Sequence, residues 1–317
     1  MFSLIFVAKL HRLLSQESLK SCTLCPHLCG VNRFDSKGFC KVSAMPLVSS
    51  VFLHKGEEPV LSGNIGVCNV FFAHCNLQCV YCQNHQISCN ALVNESWEKS
   101  VDDVVSLITP ILDTGVRTLG FVSPTHQVVP MVEIIDGLHQ KGHYPTIVYN
   151  TNCYESVETL RELENVVDVY LPDFKYVNNR LGLRYSGVSD YFDIANLALK
   201  EMYRQKGTSL LLGDDGLAEF GLIIRHLVLP SHSAESVNLL NFLADEFSPR
   251  LHISLMSQYY PPSGLSLPKS IDRVLSKEEY SKVLNTMEAL GFRGWAQSLE
   301  SADCYRPNFN SNEPFSL

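Results

Sequence analysis

From residue 65 onward, short apolar runs alternate with segments of helical period, and no other feature constrains the fold as tightly. The apolar runs fall at about 66–73, 118–122, 146–150, 166–171, 222–229 and 252–256. Ser100 precedes Val101, Val104, Val105, Leu107, Ile108 and Leu112 at helical spacing, with Gly115 as a stop. Val132, Ile135 and Leu138 mark a second helix ending near Gly142, and further helices are expected around 155–164, 191–206, 234–246 and 276–290. Strands joined through helices run parallel and are buried on both faces. Six such repeats predict an α/β fold: a partial parallel (β/α)6 barrel with a lateral opening, over residues 65–295. Residues 1–64 read as a small Cys-rich extension and 296–317 as a tail. Within the extension, 41–64 reads as a short β-rich connector.

Parallel barrels carry their chemistry on the loops after the strands. The predicted strand ends are polar: Pro124-Thr125-His126, Asn150-Thr151-Asn152, Pro172-Asp173-Phe174-Lys175, Arg225-His226 and Gln258-Tyr259-Tyr260. After the first strand come cysteines, with Cys75, Cys79 and Cys82 spaced C-x3-C-x2-C. Three thiolates in one loop suit three irons of a [4Fe–4S] cube and leave the fourth iron open. Cys89 follows Cys82 only after six intervening residues, beyond ligand spacing within the loop. The alternative is a zinc knuckle, with His74 or His85 as its fourth ligand.

A second set stands in the extension. Cys22, Cys25, Cys29 and Cys40 are spaced C-x2-C-x3-C-x10-C, with turns at Pro26, Gly30 and Gly38. Four thiols in so short a segment read as a second metal site, zinc or a second cluster, and spacing does not separate the two. Unbound buried cysteines are the plainer reading of the set. The same plainer reading holds for Cys68, Cys89, Cys153 and Cys304, and His27 reads as a surface loop residue.

The chain has 317 residues, 45% hydrophobic and 18% charged, which suits a globular protein with a sizeable core. A net charge of −8 argues against a general binder of nucleic acid or membrane surface. Cysteines bunched at ligand spacing fit a reducing compartment, the cytoplasm. Leu4, Val7, Leu10, Leu13 and Leu14 fit one face of an amphipathic helix better than a signal peptide.

With Tyr81 at its aromatic position, the C-x3-C-x-aromatic-C motif resembles the signature of the radical S-adenosylmethionine (SAM) enzymes. Flanking residues resemble an iron–sulfur group related to the pyruvate formate-lyase activating enzyme. They include Cys22-Thr23-Leu24-Cys25-Pro26, Glu57-Glu58-Pro59, Val148-Tyr149-Asn150-Thr151, Leu171-Pro172-Asp173-Phe174-Lys175 and Arg225-His226-Leu227. The resemblance covers about residues 20–290 and implies a [4Fe–4S] cluster that cleaves SAM reductively to a 5′-deoxyadenosyl radical. It implies that Asn150, Thr151, Asp173 and Lys175 lie near the methionine end of SAM, that Arg225 reaches the cofactor, and that Tyr81 packs by the adenine. An unidentified substrate, a protein or a small molecule, and a reductant such as flavodoxin or ferredoxin would complete the system.

Two departures stand out. Ser123-Pro124-Thr125-His126 replaces the Gly-Gly-Glu that holds the SAM amino group in many relatives, so backbone carbonyls or Thr125 are expected to remake that contact. Cys153 stands where relatives carry glycine, so the freedom to adopt positive φ is expected to be lost there. A non-enzymatic iron–sulfur or zinc protein, in electron transfer or cluster assembly, is the alternative function. It needs no barrel cavity. A zinc hydrolase would need His and carboxylate ligands of the H-E-x-x-H kind, which the chain lacks.

Overall fold

The apolar runs become strands because both of their faces are covered: Val67–Phe72 and Thr118–Val122 are buried at every residue. The computed structural model describes residues 14–301, 306–311 and 314–315. Leu4, Val7, Leu10 and Leu13 of the expected amphipathic face, and Cys304, lie outside the described residues.

β1 (Val48–His54) leads through the four-residue helix α1 (Pro59–Ser62) into β2 (Val67–Phe72), with α2 (His85–Ser88) in the loop beyond. The β/α repeats follow as α3 (Val101–Leu112), β3 (Thr118–Val122), α4 (Val128–Gln140), β4 (Thr146–Thr151), α5 (Val157–Glu162) and β5 (Val169–Pro172). Two helices, α6 (Asn179–Ser186) and α7 (Tyr191–Lys206), precede the short β6 (Leu211–Leu212) and the long β7 (Ala218–Leu227). α8 (Ser233–Glu246), β8 (His252–Met256), α9 (Lys277–Leu290) and β9 (Arg293–Ala296) complete the domain.

The sheet order is β1-β2-β3-β4-β5-β7-β8-β9, with β6 pairing only β7. β1 and β6 pair antiparallel; the other pairings are parallel. The result is the expected α/β fold with a mostly parallel sheet. Its two edges, β1 and β9, stay apart in the strand order, so the barrel does not close.

Four elements differ from the expectation. β7 opens at Ala218, earlier than 222, because its first residues pair with β6 in a hairpin. β5 begins at Val169, since Asp168 is spent accepting a bond from the Ile147 backbone at 2.7 Å. β9 adds a seventh parallel strand, and α6 adds a helix before α7. The connector at 41–64 supplies β1, whose Val51 and Leu53 face Val70 and Cys68 across the edge. Among the described residues no helix is long and apolar enough to cross a membrane.

Candidate active site

β2 ends at Phe72, and the chain then turns through His74 at φ 65°. The His74 ring clamps that turn, with Nδ1 at 2.9 Å from the Cys40 carbonyl and Nε2 at 3.0 Å from the Leu92 carbonyl. Both ring nitrogens are thereby committed, which removes His74 as a zinc ligand. His85 likewise turns Nδ1 to the Cys82 carbonyl at 3.2 Å.

Cys75, Cys79 and Cys82 follow, and all three line one open cavity. Each sulfur meets one side-chain donor from a different place in the fold. Asn152, after β4, directs Nδ2 to Cys75 Sγ at 3.4 Å; Ser186, ending α6, lies 3.0 Å from Cys79 Sγ; Ser88, ending α2, lies 3.1 Å from Cys82 Sγ. Burial pushes Cys75 up to about 12 and Cys79 up to about 11, while the Lys175 charge pulls the other way on Cys79 and Cys82. As free thiols the three are poor nucleophiles. Bound to a soft cation they are lost as acids and serve as ligands.

Opposite the thiols stands a charged network. Arg225, in β7, directs Nε to Asp173 Oδ1 at 2.7 Å and Nη2 to Asn150 Oδ1 at 2.8 Å. Lys175 Nζ meets Asp173 Oδ2 at 3.0 Å. Burial opposes the Asp173 charge, yet Arg225 and Lys175 hold its carboxyl below the ordinary range. Asn150, Thr151, Asp173, Lys175, Arg225 and Tyr81 all line the same cavity as the three thiols. The Tyr81 hydroxyl lies 2.6 Å from that of Tyr176, which is 3.1 Å from Ser186 Oγ, so a chain of hydroxyls reaches Cys79.

Other residues named at the rim are turned away. Thr125 is fully buried and donates to Glu155 at 2.5 Å, so it does not replace the missing Gly-Gly-Glu contact; Ser123, at φ 54°, lines the cavity instead. His126 is buried with Nε2 at 2.9 Å from the Ala73 carbonyl. His226 points out of the barrel to the Phe174 carbonyl and Ser236. Cys153 is fully buried at φ 68°, so the left-handed conformation persists without glycine, contrary to expectation. His27 is no free surface residue, since it stacks on Phe39 and its Nε2 lies 2.7 Å from the Asn76 carbonyl.

Sequence reasoning gave no role to Glu57 and Glu58, which line the cavity beneath Arg225. Glu57 Oε2 lies 3.4 Å from Arg225 Nη1, and its Oε1 accepts from Asn69 at 2.8 Å. Burial raises Glu58, whose Oε2 has no partner. Their only signal was position within the Glu57-Glu58-Pro59 string of the resemblance.

A family model described as the Radical SAM superfamily matches residues 69–227. The chain belongs to the radical SAM superfamily. It is 32% identical over 282 residues to the uncharacterized protein MJ0674 of Methanocaldococcus jannaschii, covering 87% of this chain and 76% of that one. Two solved radical SAM-type folds are similar in structure. A radical SAM methyltransferase from Sphaerobacter thermophilus has TM-score 0.51 at 13% identity, covering 73% of this chain and 66% of that chain. HydG, a maturase of the [FeFe]-hydrogenase, has TM-score 0.52 at 15% identity, covering 74% of this chain and 53% of that one. Both likenesses bear on the fold alone.

Radical SAM membership implies a [4Fe–4S] cluster and SAM. The residues present fit the cluster: three thiols on one loop, each with a side-chain hydroxyl or amide within hydrogen-bond reach of its sulfur. Among the described residues no three His, Cys, Asp or Glu close around a single ion, and a cube spreads its thiolates more widely than one ion does.

Proposed function

We propose that this radical SAM enzyme seats SAM over the Cys75–Cys79–Cys82 loop and takes a hydrogen atom from a protein or small-molecule substrate, in the manner of an activating enzyme. When bound, the cluster supplies the electron that splits SAM and releases the 5′-deoxyadenosyl radical. One observation carries the reading: Asp173, Lys175, Arg225 and Asn150 are bonded to one another on the wall of the cavity that the thiols also line.

Lys175 and Arg225 offer cations to the SAM carboxylate, and Asp173 fixes both by accepting from each. Thr151 closes the methionine end, and Tyr81 offers its ring edge to the adenine. Ser88, Asn152 and Ser186 favour the more negative, reduced form of the cluster by donating to sulfur. The substrate enters by the unclosed side of the barrel. Flavodoxin or ferredoxin serves as reductant, in the cytoplasm, and a net charge of −8 disfavours nucleic acid as a partner.

The test is anaerobic incubation of reconstituted protein with dithionite and SAM, followed by chromatography of the nucleoside. Wild type is expected to release 5′-deoxyadenosine and methionine, while Cys79→Ala releases none. Arg225→Ala and Asp173→Ala are expected to lose about tenfold to a hundredfold in rate while keeping iron near the wild-type count. Equal release from wild type and Cys79→Ala would remove the enzymatic reading in favour of an electron-transfer or assembly protein.

A further inference from the structure

A second thiol-lined cavity lies at the seam between the N-terminal extension and the barrel. Cys22, Cys25, Cys29 and Cys40 all line it, together with Arg33 and His126. Cys25 and Cys40 are buried, and none of the four is in a disulfide. The backbone already meets a sulfur acceptor there: Phe39 donates its N–H to Cys29 Sγ at 3.4 Å. Gly38 is required for this approach, since a Cβ there would come within 2.9 Å of Cys29 Sγ.

The decisive residue is Arg33. It is only 2% exposed, and its guanidinium bonds solely to neutral carbonyls, those of Ser43 (3.0 and 2.7 Å) and His126 (2.8 Å). Among the described residues no carboxylate pairs with it, although an arginine cannot shed its charge. A buried cation without an anion costs several kcal/mol. The four cysteines that line the same cavity are the candidates for that anion. Four neutral thiols cannot supply it.

His126 lines the same cavity but stays outside the four-thiolate set. It is 2% exposed and its Nε2 must donate to the Ala73 carbonyl, so Nδ1 carries a lone pair. That nitrogen is buried without a partner, on a residue that lines the thiol cavity.

We infer that Cys22, Cys25, Cys29 and Cys40 hold a second [4Fe–4S] cluster through four thiolates, and that Arg33 is its buried counter-ion; no three of these thiols close around a single ion, which leaves no seat for zinc. Four thiolates around a +2 [4Fe–4S] core leave a net charge of about −2. That charge answers Arg33. Loading releases the thiol protons to solvent and transfers no electron. The site is closed, with four protein ligands, so it takes no substrate.

The centre also braces the radical loop. The Cys40 carbonyl holds His74, Asn90 Nδ2 bridges the Phe39 and Cys75 carbonyls at 3.0 Å each, and His27 reaches the Asn76 carbonyl.

The test uses the full chain carrying Cys75→Ala, Cys79→Ala and Cys82→Ala, purified without oxygen, with metal and acid-labile sulfide counted per chain. This protein cannot hold the radical cluster, so the outcome is independent of SAM chemistry. The expected result is about four irons with four sulfides, and zinc without sulfide would overturn the inference. X-ray absorption at the iron edge should show sulfur alone as the nearest neighbours. Adding Cys25→Ser and Cys40→Ser should abolish the retained metal or the soluble protein. A triple variant that folds without metal, or a first shell containing nitrogen or oxygen, would overturn the inference. Arg33→Gln should lower metal retention at least several-fold on dialysis against a chelator, and unchanged retention would remove Arg33 from the site.

Discussion

Cys153 keeps a left-handed backbone that costs an ordinary residue about 1–2 kcal/mol, and it does so with its thiol buried against the Ala195 carbonyl. The same turn delivers Asn152 to the Cys75 sulfur and Glu155 to the core. Glu155 is 1% exposed and bonded to Thr125, Thr151 and Tyr149. Burial lifts its carboxyl to about 7. The folded state therefore binds a proton that the unfolded chain releases near 4.5. Its stabilising effect is complete below pH 4.5, and up to about 3 kcal/mol is lost as pH rises to about 7. In Glu155→Gln, thermal melts across that window should lose this slope. At the sulfurs, Ser186→Ala and Ser88→Ala should each lower the cluster potential by tens of millivolts, read by EPR-monitored redox titration, because each deletes a bond that favours the reduced form. An unchanged or raised potential would show that these hydroxyls point elsewhere in the loaded protein. The cysteine ligand types were legible in sequence spacing; the donors Ser186 and Asn152 were not, being 107 and 77 residues away from the sulfurs they meet.

Elements with strong local signals were readable before any coordinates. Ser100 and Asp103 form a capping box that starts α3, and Ser276 and Glu279 do the same for α9. β3 and β8 coincide with their apolar runs, Thr118–Val122 and His252–Met256. β9 escaped notice because Arg293, Gly294 and Ala296 are exposed, leaving no apolar run to see. α6 escaped because it is largely polar and is defined by Asn178 capping Arg180 and by Gly187 at φ 77°. Packing between strands can be just as silent. A Cβ on Gly120, in β3, would sit 2.1 Å from Asn69 Oδ1, the group whose amide holds Glu57. Gly120→Ala should cost about 1–3 kcal/mol by overpacking and weaken SAM binding through Glu57 and Arg225. Denaturant melts and equilibrium dialysis of SAM check the two effects, and a variant with wild-type values for both would mean that β2 and β3 relax freely.

Across the whole molecule, one ionic network ties three strands and the β1–β2 loop together at the barrel's interior. Arg225 contacts Asp173, Asn150 and Glu57, so β7, β5, β4 and residues 55–58 share it. Removing one partner strands a charge, and Asp173→Ala should cost about 3–5 kcal/mol, while the double change Asp173→Ala with Arg225→Met should recover part of that loss. Additive losses in a double-mutant cycle would refute a shared network. The barrel, and those polar strand ends that line its cavity, were readable as a pattern, but the seating of the extension was not. Its anchors reach far along the chain, such as Thr159 Oγ1 donating to the Leu24 carbonyl at 2.8 Å and Arg33 bonding the His126 carbonyl. These contacts impose an order on synthesis. Cys40 leaves the ribosome more than a hundred residues before Thr159, a delay on the order of ten seconds at ordinary elongation rates. For that interval the four thiols of the extension belong to an unfinished chain with nothing to cover them. Oxidant present during translation would reach them before the barrel covers them, so growth as well as purification has to exclude it.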